Sequence, residues 1–217
     1  MNFYSSKVRK IGVTTRSVSG VVPDIGSFES SLERDFMELT RFDSNVEEII
    51  PQPMTIGYFD VQGTSRQYTP DGLLRYQTEL NIPPILYEIK YRSDFKDQWK
   101  KLIPKFRAAK RFAKSRGWLF KVFTEKEIRT TYLDNVKFLW PFKQREVDEE
   151  MTSYILAVMS DLQEADPALL IAALFSSKKN QAAVIPILWS LIANQRIGCD
   201  LNEPLTMHSK IWTREDL

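Results

Sequence analysis

The chain is short of the residues that most catalytic and metal sites are built from. Its 217 residues include one cysteine, Cys199, and one histidine, His208. That scarcity removes disulfides, Cys/His zinc sites and Cys-His or Ser-His-Asp catalytic units from expectation. No apolar run approaches the roughly 20 residues needed to cross a bilayer. The opening "MNFYSSKVRKIGVTTRSVSG" has no apolar stretch behind its basic residues, so no secretory signal is readable and a soluble, cytosolic protein is expected. Internal repeats and low-complexity segments are lacking too. Any metal must then be held by carboxylates, and oxygen-only ligation suits magnesium or manganese.

What the chain does have is a 43% hydrophobic composition, enough for a substantial core in one or two domains, and an uneven distribution of charge. The net charge is +2, from 30 basic and 28 acidic residues. Residues 146–217 hold five of the basic and eleven of the acidic ones, so the first 145 residues are strongly basic and the remainder acidic. Such asymmetry points to an N-terminal part that meets a polyanion and a C-terminal part with another task. Within residues 90–129 there are fourteen Lys/Arg against four Asp/Glu. Arg92, Lys100, Lys101, Lys105, Lys110, Arg111 and Lys114 surround an aromatic stripe there, and a run of one sign favours DNA-backbone contact over an ordinary solvated face.

Residues 1–26 form a basic arm whose Lys7, Arg9 and Lys10 are candidate phosphate contacts. In "SFESSLERDFMELTRFD" the spacing of Phe28, Leu32, Phe36 and Leu39 predicts an amphipathic helix capped by Ser27, with Glu29 and Glu33 sharing a face. "MTIGYFDVQ", "RQYTPDGLLRY" and "ILYEIKYR" read as strands. A helix over 95–115 with Trp99, Leu102, Phe106, Ala109 and Ala113 inward follows, kinked or divided at Pro104, and then a buried strand "GWLFKVFT". Thr124 and Glu127 form a capping box. This order predicts an α/β core with a mixed sheet over 27–145. Beyond it, three helices and a small hairpin in "CDLNEPLTMHSKIW" fit a winged-helix-like domain over 146–217, with Asp166 and Pro167 opening its second helix.

Asp71, Glu88 and Lys90 supply the parts that phosphodiester hydrolysis needs: carboxylates to fix a metal ion, and a cation to orient water and offset developing charge. The backbone carbonyl of Ile89 could add a ligand, and Glu33 a further one. Pro-Asp occurs twice and Glu-x-Lys once, with Asp94-Phe95-Lys96 as a rival. Glu88 and Lys90 are preferred because they end an otherwise apolar strand, "PPILYEIK", where charge is least expected.

The string "SSLERDFMELTRFDSNVEEIIPQPMTI … YTPDGLL … LYEIKYR" resembles the TnsA family, the endonuclease subunit of heteromeric Tns-type transposases, over nearly the whole chain. The resemblance implies a restriction-endonuclease-like PD-(D/E)xK domain and a winged-helix-like C-terminal domain. It also implies catalytic roles for Glu33, Asp71, Glu88 and Lys90, although some members carry Gln where Glu88 stands. The function implied is magnesium- or manganese-dependent nicking of the 5′ ends of a mobile element during cut-and-paste transposition in the bacterial cytoplasm. The partners implied are double-stranded DNA at the transposon ends, a TnsB-type DDE transposase and a TnsC-type AAA+ ATPase. A stand-alone restriction-like nuclease and a non-catalytic DNA-binding adaptor are the alternatives. An acidic C-terminal domain favours protein docking over DNA contact.

Overall fold

The structure, a computed structural model, describes residues 19–23 and 25–214. Lys7, Arg9 and Lys10, and with them most of the expected basic arm, lie outside the described residues. Among the described residues no helix is long and apolar enough to cross a membrane. The chain divides into two compact units between Ile128 and Arg129. Composition had placed the division at 145/146. It falls earlier because the helix Thr131–Lys143 buries Leu133, Val136 and Leu139 and packs against Lys178–Ala193 of the second unit.

In the first unit, β1 (Gly20–Val22) pairs antiparallel with β2 (Gly26–Phe28), and α1 spans Ser31–Phe42. The N-cap is Ser30 rather than Ser27: the Ser30 hydroxyl accepts from the Glu33 N–H at 3.1 Å, a bond typically worth about 1 kcal/mol. Ser27 and Phe28 belong to β2. Phe28 mimics a helical position because it lies four residues before Leu32, yet it is buried from a strand beside Val22 and Met37.

The central sheet is mixed. Its strands are β3 (Val46–Pro51), β6 (Gly72–Tyr76), β7 (Ile85–Ile89) and β8 (Leu119–Phe123), adjacent in that order. The first two pairings are antiparallel and β7 pairs parallel with β8. Between β3 and β6 the chain makes a separate two-stranded ribbon of β4 (Ile56–Phe59) and β5 (Ser65–Tyr68). The expected single strand "RQYTPDGLLRY" is therefore two strands in two sheets, divided at Thr69–Pro70–Asp71. Pro70 offers no N–H to a ladder, so a break there costs no bond.

The connection from β7 to β8 is α2 (Arg92–Lys114), and α3 (Glu125–Ile128) closes the unit. Pro104 lies inside α2, which continues through it. Leu102, Ala109 and Ala113 are buried as expected, but Trp99 is 50% exposed. β8 is a sheet edge with Leu119 exposed rather than a buried strand. Alternation along β7 sends Ile85, Tyr87 and Ile89 into a core with Leu32 and Phe36 of α1. Leu86 points the other way, into a core with Tyr68, Leu73 and Ala109.

The second unit comprises α4 (Thr131–Lys143), α5 (Glu149–Leu162), β9 (Glu164–Ala165), α6 (Pro167–Leu174), α7 (Lys178–Ala193), β10 (Ile197–Cys199) and β11 (Ile211–Thr213). Asp166 caps α6 through the Leu169 N–H at 2.7 Å, and Pro167 follows it. The tail hairpin forms between β10 and β11, and β9 adds a third strand beside β11. Helix α4 escaped the periodicity because apolar residues stand on both of its sides; Phe138 remains 44% exposed.

Candidate active site

The antiparallel register of β6 and β7 pairs Gly72 with Tyr87, and one further step sets Asp71 across from Glu88. Asp71 Oδ2 accepts from the Ile89 N–H at 2.7 Å, which ties the end of one strand to the end of the other. Gly72 makes the approach possible. A Cβ there would stand 2.1 Å from the Tyr87 hydroxyl oxygen, so no other residue can follow Asp71 without moving that ring.

Lys90, just past the end of β7, gathers the site. Its Nζ lies 2.9 Å from Glu88 Oε1 and 3.5 Å from Asp71 Oδ2, and it donates to the Ile89 carbonyl oxygen at 2.9 Å. The oxygens expected to bind a cation thus converge on one positive charge. No three or more His, Cys, Asp or Glu residues group as metal ligands among the described residues; the third donor here is a backbone carbonyl. Two carboxylates and a carbonyl are hard donors, and they fit a magnesium or manganese ion better than a softer one.

Glu88 is only 4% exposed. Burial pushes its carboxyl up and the Asp71 charge adds to this, while Lys90 and the Tyr68 hydroxyl pull it down. For Lys90, burial opposes the charge, but Asp71 and then Glu88 outweigh burial and hold the ammonium above the ordinary lysine range. Lys90 as placed is a donor. Nor can the rival Asp94-Phe95-Lys96 form a comparable cluster: it lies in the first turns of α2, where residues two apart do not share a face.

Glu33 approaches from α1, and its charge is among those that hold the Lys90 proton. It lines a narrow cleft with Asp71, Gln52, Tyr87 and Ile89. Its Oε2 accepts from the Glu29 N–H at 2.9 Å and its Oε1 from the Ser30 hydroxyl at 3.1 Å, so Glu33 caps the start of α1. The helical face expected to be shared by Glu29 and Glu33 does not form, because Glu29 precedes the helix and meets Glu33 only through its backbone N–H.

On α2, Arg92, Lys100, Lys101, Lys110, Arg111 and Lys114 are exposed. Lys105 is half-buried, its Nζ 5.9 Å from the centre of the Tyr68 ring. Lys100, Lys101 and Lys105 line a groove with Tyr58 and Arg66 of the ribbon.

Three residues at the site were not anticipated. Tyr68 donates its hydroxyl to Glu88 Oε2. Gln52, at a left-handed φ of 47°, donates its backbone N–H to the Asp71 carbonyl at 3.0 Å and its side-chain amide to Glu29 Oε1 at 3.3 Å. The Tyr87 hydroxyl is buried without a hydrogen-bond partner among the described residues. Only the position of Tyr68 three residues before Asp71 was open to notice.

The model of the TnsA-like endonuclease N-terminal domain matches residues 43–125, and that of the TnsA endonuclease C-terminal domain matches residues 127–201. No curated protein matches the chain. The two models meet at residues 125–127, beside the division between the compact units. The first covers the mixed sheet, its ribbon and α2, which carry the restriction-endonuclease-like architecture. Matched along both units by the two halves of one endonuclease, the chain belongs to the TnsA family of Tn7-like transposase endonuclease subunits.

Proposed function

We propose that the chain hydrolyses phosphodiesters at the 5′ ends of a mobile element during cut-and-paste transposition, using magnesium, with manganese as a substitute. The observation that carries this reading is the convergence of Asp71 Oδ2, Glu88 Oε1 and the Ile89 carbonyl at the end of β7. Those three oxygens would hold the ion, and when bound it supplies Lewis-acid stabilisation of charge on the scissile phosphate.

Lys90 would contribute a positive charge and a hydrogen-bond donor beside the reacting phosphate, where both are worth more than in water. Once Asp71 and Glu88 are shared with a cation, the charges that hold the Lys90 proton are compensated, and Lys90 becomes better able to accept a proton from water. Glu33 borders the same cleft and is the candidate for orienting water from the α1 side. The exposed Lys and Arg residues of α2 would track the duplex backbone, together with Lys7, Arg9 and Lys10.

The second unit is the candidate for docking protein partners, a TnsB-type DDE transposase and a TnsC-type AAA+ ATPase, because residues 129–217 hold nine basic against twelve acidic residues, a balance that favours a protein surface over a phosphate backbone. Its order of helices followed by a hairpin supports the winged-helix-like reading.

The test is strand cleavage of duplexes carrying element ends, with and without the two partners, in magnesium. Cleavage of the 5′ strand that needs the partners, and is lost in Asp71→Ala while the fold persists, is the expected result. Cleavage by the chain alone would support a stand-alone nuclease. DNA binding without cleavage under any condition would leave a non-catalytic adaptor.

A further inference from the structure

Glu88 has two carboxylate oxygens, and each has a different partner. Oε1 meets the Lys90 ammonium at 2.9 Å, on the side where Asp71 and the Ile89 carbonyl converge. Oε2 accepts the hydroxyl of Tyr68. The second contact is buried, with Tyr68 at 6% and Glu88 at 4% exposure.

Tyr68 does not belong to the sheet that carries Asp71 and Glu88. It ends β5 of the separate ribbon, where it pairs with Ile56. Its ring is fixed among Leu73, Leu86 and Ala109, and the Lys105 ammonium stands near its face. A carboxylate at the end of a strand can otherwise turn about its last torsions and present either oxygen, or both, to a cation. A ring anchored from outside the sheet removes that freedom.

We propose that Tyr68 is a positioning residue for the cation site: its hydroxyl holds Oε2 of Glu88, so that Oε1 alone faces Asp71 and the Ile89 carbonyl. This rests on the reading of Asp71 and Glu88 as cation ligands. Groups that hydrogen-bond metal-ligating side chains typically change metal affinity or activity by roughly 10- to 100-fold when removed. The ribbon then has a task of its own, since it brings an orienting hydroxyl to a ligand in another sheet.

The experiment measures Mn²⁺ binding by calorimetry for the full chain, Tyr68→Phe and Asp71→Ala, with duplex DNA present throughout. Tyr68→Phe removes one oxygen and leaves the ring against Leu73 and Leu86, and a far-UV circular dichroism spectrum verifies its fold. The expected result is loss of binding in Asp71→Ala and binding weakened roughly 10- to 100-fold in Tyr68→Phe. In cleavage assays with the partner proteins, Tyr68→Phe should raise the half-saturating Mn²⁺ concentration while the rate at saturation returns towards that of the parent. A purely structural role would not produce that split.

In a Glu88→Ala background, Tyr68→Phe should change Mn²⁺ affinity no further, because the hydroxyl acts through Glu88. Binding unaffected by Asp71→Ala would overturn the ligand reading itself. Loss in Asp71→Ala with parental affinity in Tyr68→Phe would overturn the role of Tyr68 alone, as would an undiminished effect of Tyr68→Phe without Glu88.

Discussion

Replacing Lys90 by methionine keeps most of the side-chain stem and deletes the charge on which the site converges. The ammonium lies 2.9 Å from Glu88 Oε1 and 3.5 Å from Asp71 Oδ2. At an effective dielectric of about 20 each attraction is worth about 5 kcal/mol before desolvation is counted. Taking one partner from a fully buried ion pair costs about 3–5 kcal/mol. Lys90 is 27% exposed and Asp71 22%, so water recovers part of that loss. Glu88 recovers more by taking up a proton, which its burial already favours. We expect Lys90→Met to lose about 2–4 kcal/mol in urea unfolding at neutral pH. Adding Glu88→Gln should return part of the loss, because the uncompensated charge is then gone, with a coupling of about 1–3 kcal/mol in the double-mutant cycle. Cleavage should fall by roughly 100-fold or more while duplex affinity changes little, since the role proposed for Lys90 lies in the transition state. An additive cycle, or a stable variant that still cleaves, would refute the reasoning.

Truncation distinguishes the two domain boundaries: residues 1–128 should be soluble and monomeric, whereas 1–145 retains α4 without α7, exposes Leu133, Val136 and Leu139, and aggregates in size-exclusion chromatography. Non-specific duplex affinity of the 1–128 fragment, titrated at two salt concentrations, should at least equal that of the full chain, and a large drop would show that the second unit grips DNA. Burial, and then Asp200, push the Cys199 thiol up to about 11, so a disulfide reagent at pH 8 should react with the folded chain roughly 100-fold more slowly than with the unfolded one. The folded state keeps a proton that the unfolded chain releases, so this group's contribution to stability is fully present below about pH 8.5 and falls as pH rises towards 11. Equal folded and unfolded reaction rates would show that the thiol is not shielded.

Short-range chemistry was open to reading because its partners are neighbours in the chain. The Thr124–Glu127 box forms, with the Thr124 N–H donating to Glu127 Oε2 at 2.9 Å, and Asp166 with Pro167 starts α6. The same local reasoning failed where two explanations had the same spacing. Phe28 satisfied a helical period from a strand, and Ser30 rather than Ser27 took the cap. Glu33 shows the ambiguity most sharply, since "SSLE" describes a helix cap as well as a catalytic acid, and the bonds to Glu29 and Ser30 are those of a cap.

The amino-acid sequence alone determined which groups were available: carboxylates in plenty, one lysine at the end of an apolar strand, a basic helix, and a single histidine and a single thiol. It also determined that Glu88 and Lys90, two apart around the end of an apolar strand, would stand on one side of it. Tertiary structure decided which of those groups meet. Asp71 faces Glu88 only through the register of β6 and β7, and Tyr68 reaches Glu88 only because Pro70 ends one strand and lets β5 join a ribbon outside the sheet. Strand register and ribbon placement are set by burial of side chains far apart in the chain, such as Tyr68 against Ala109, and no local pattern encodes such pairings.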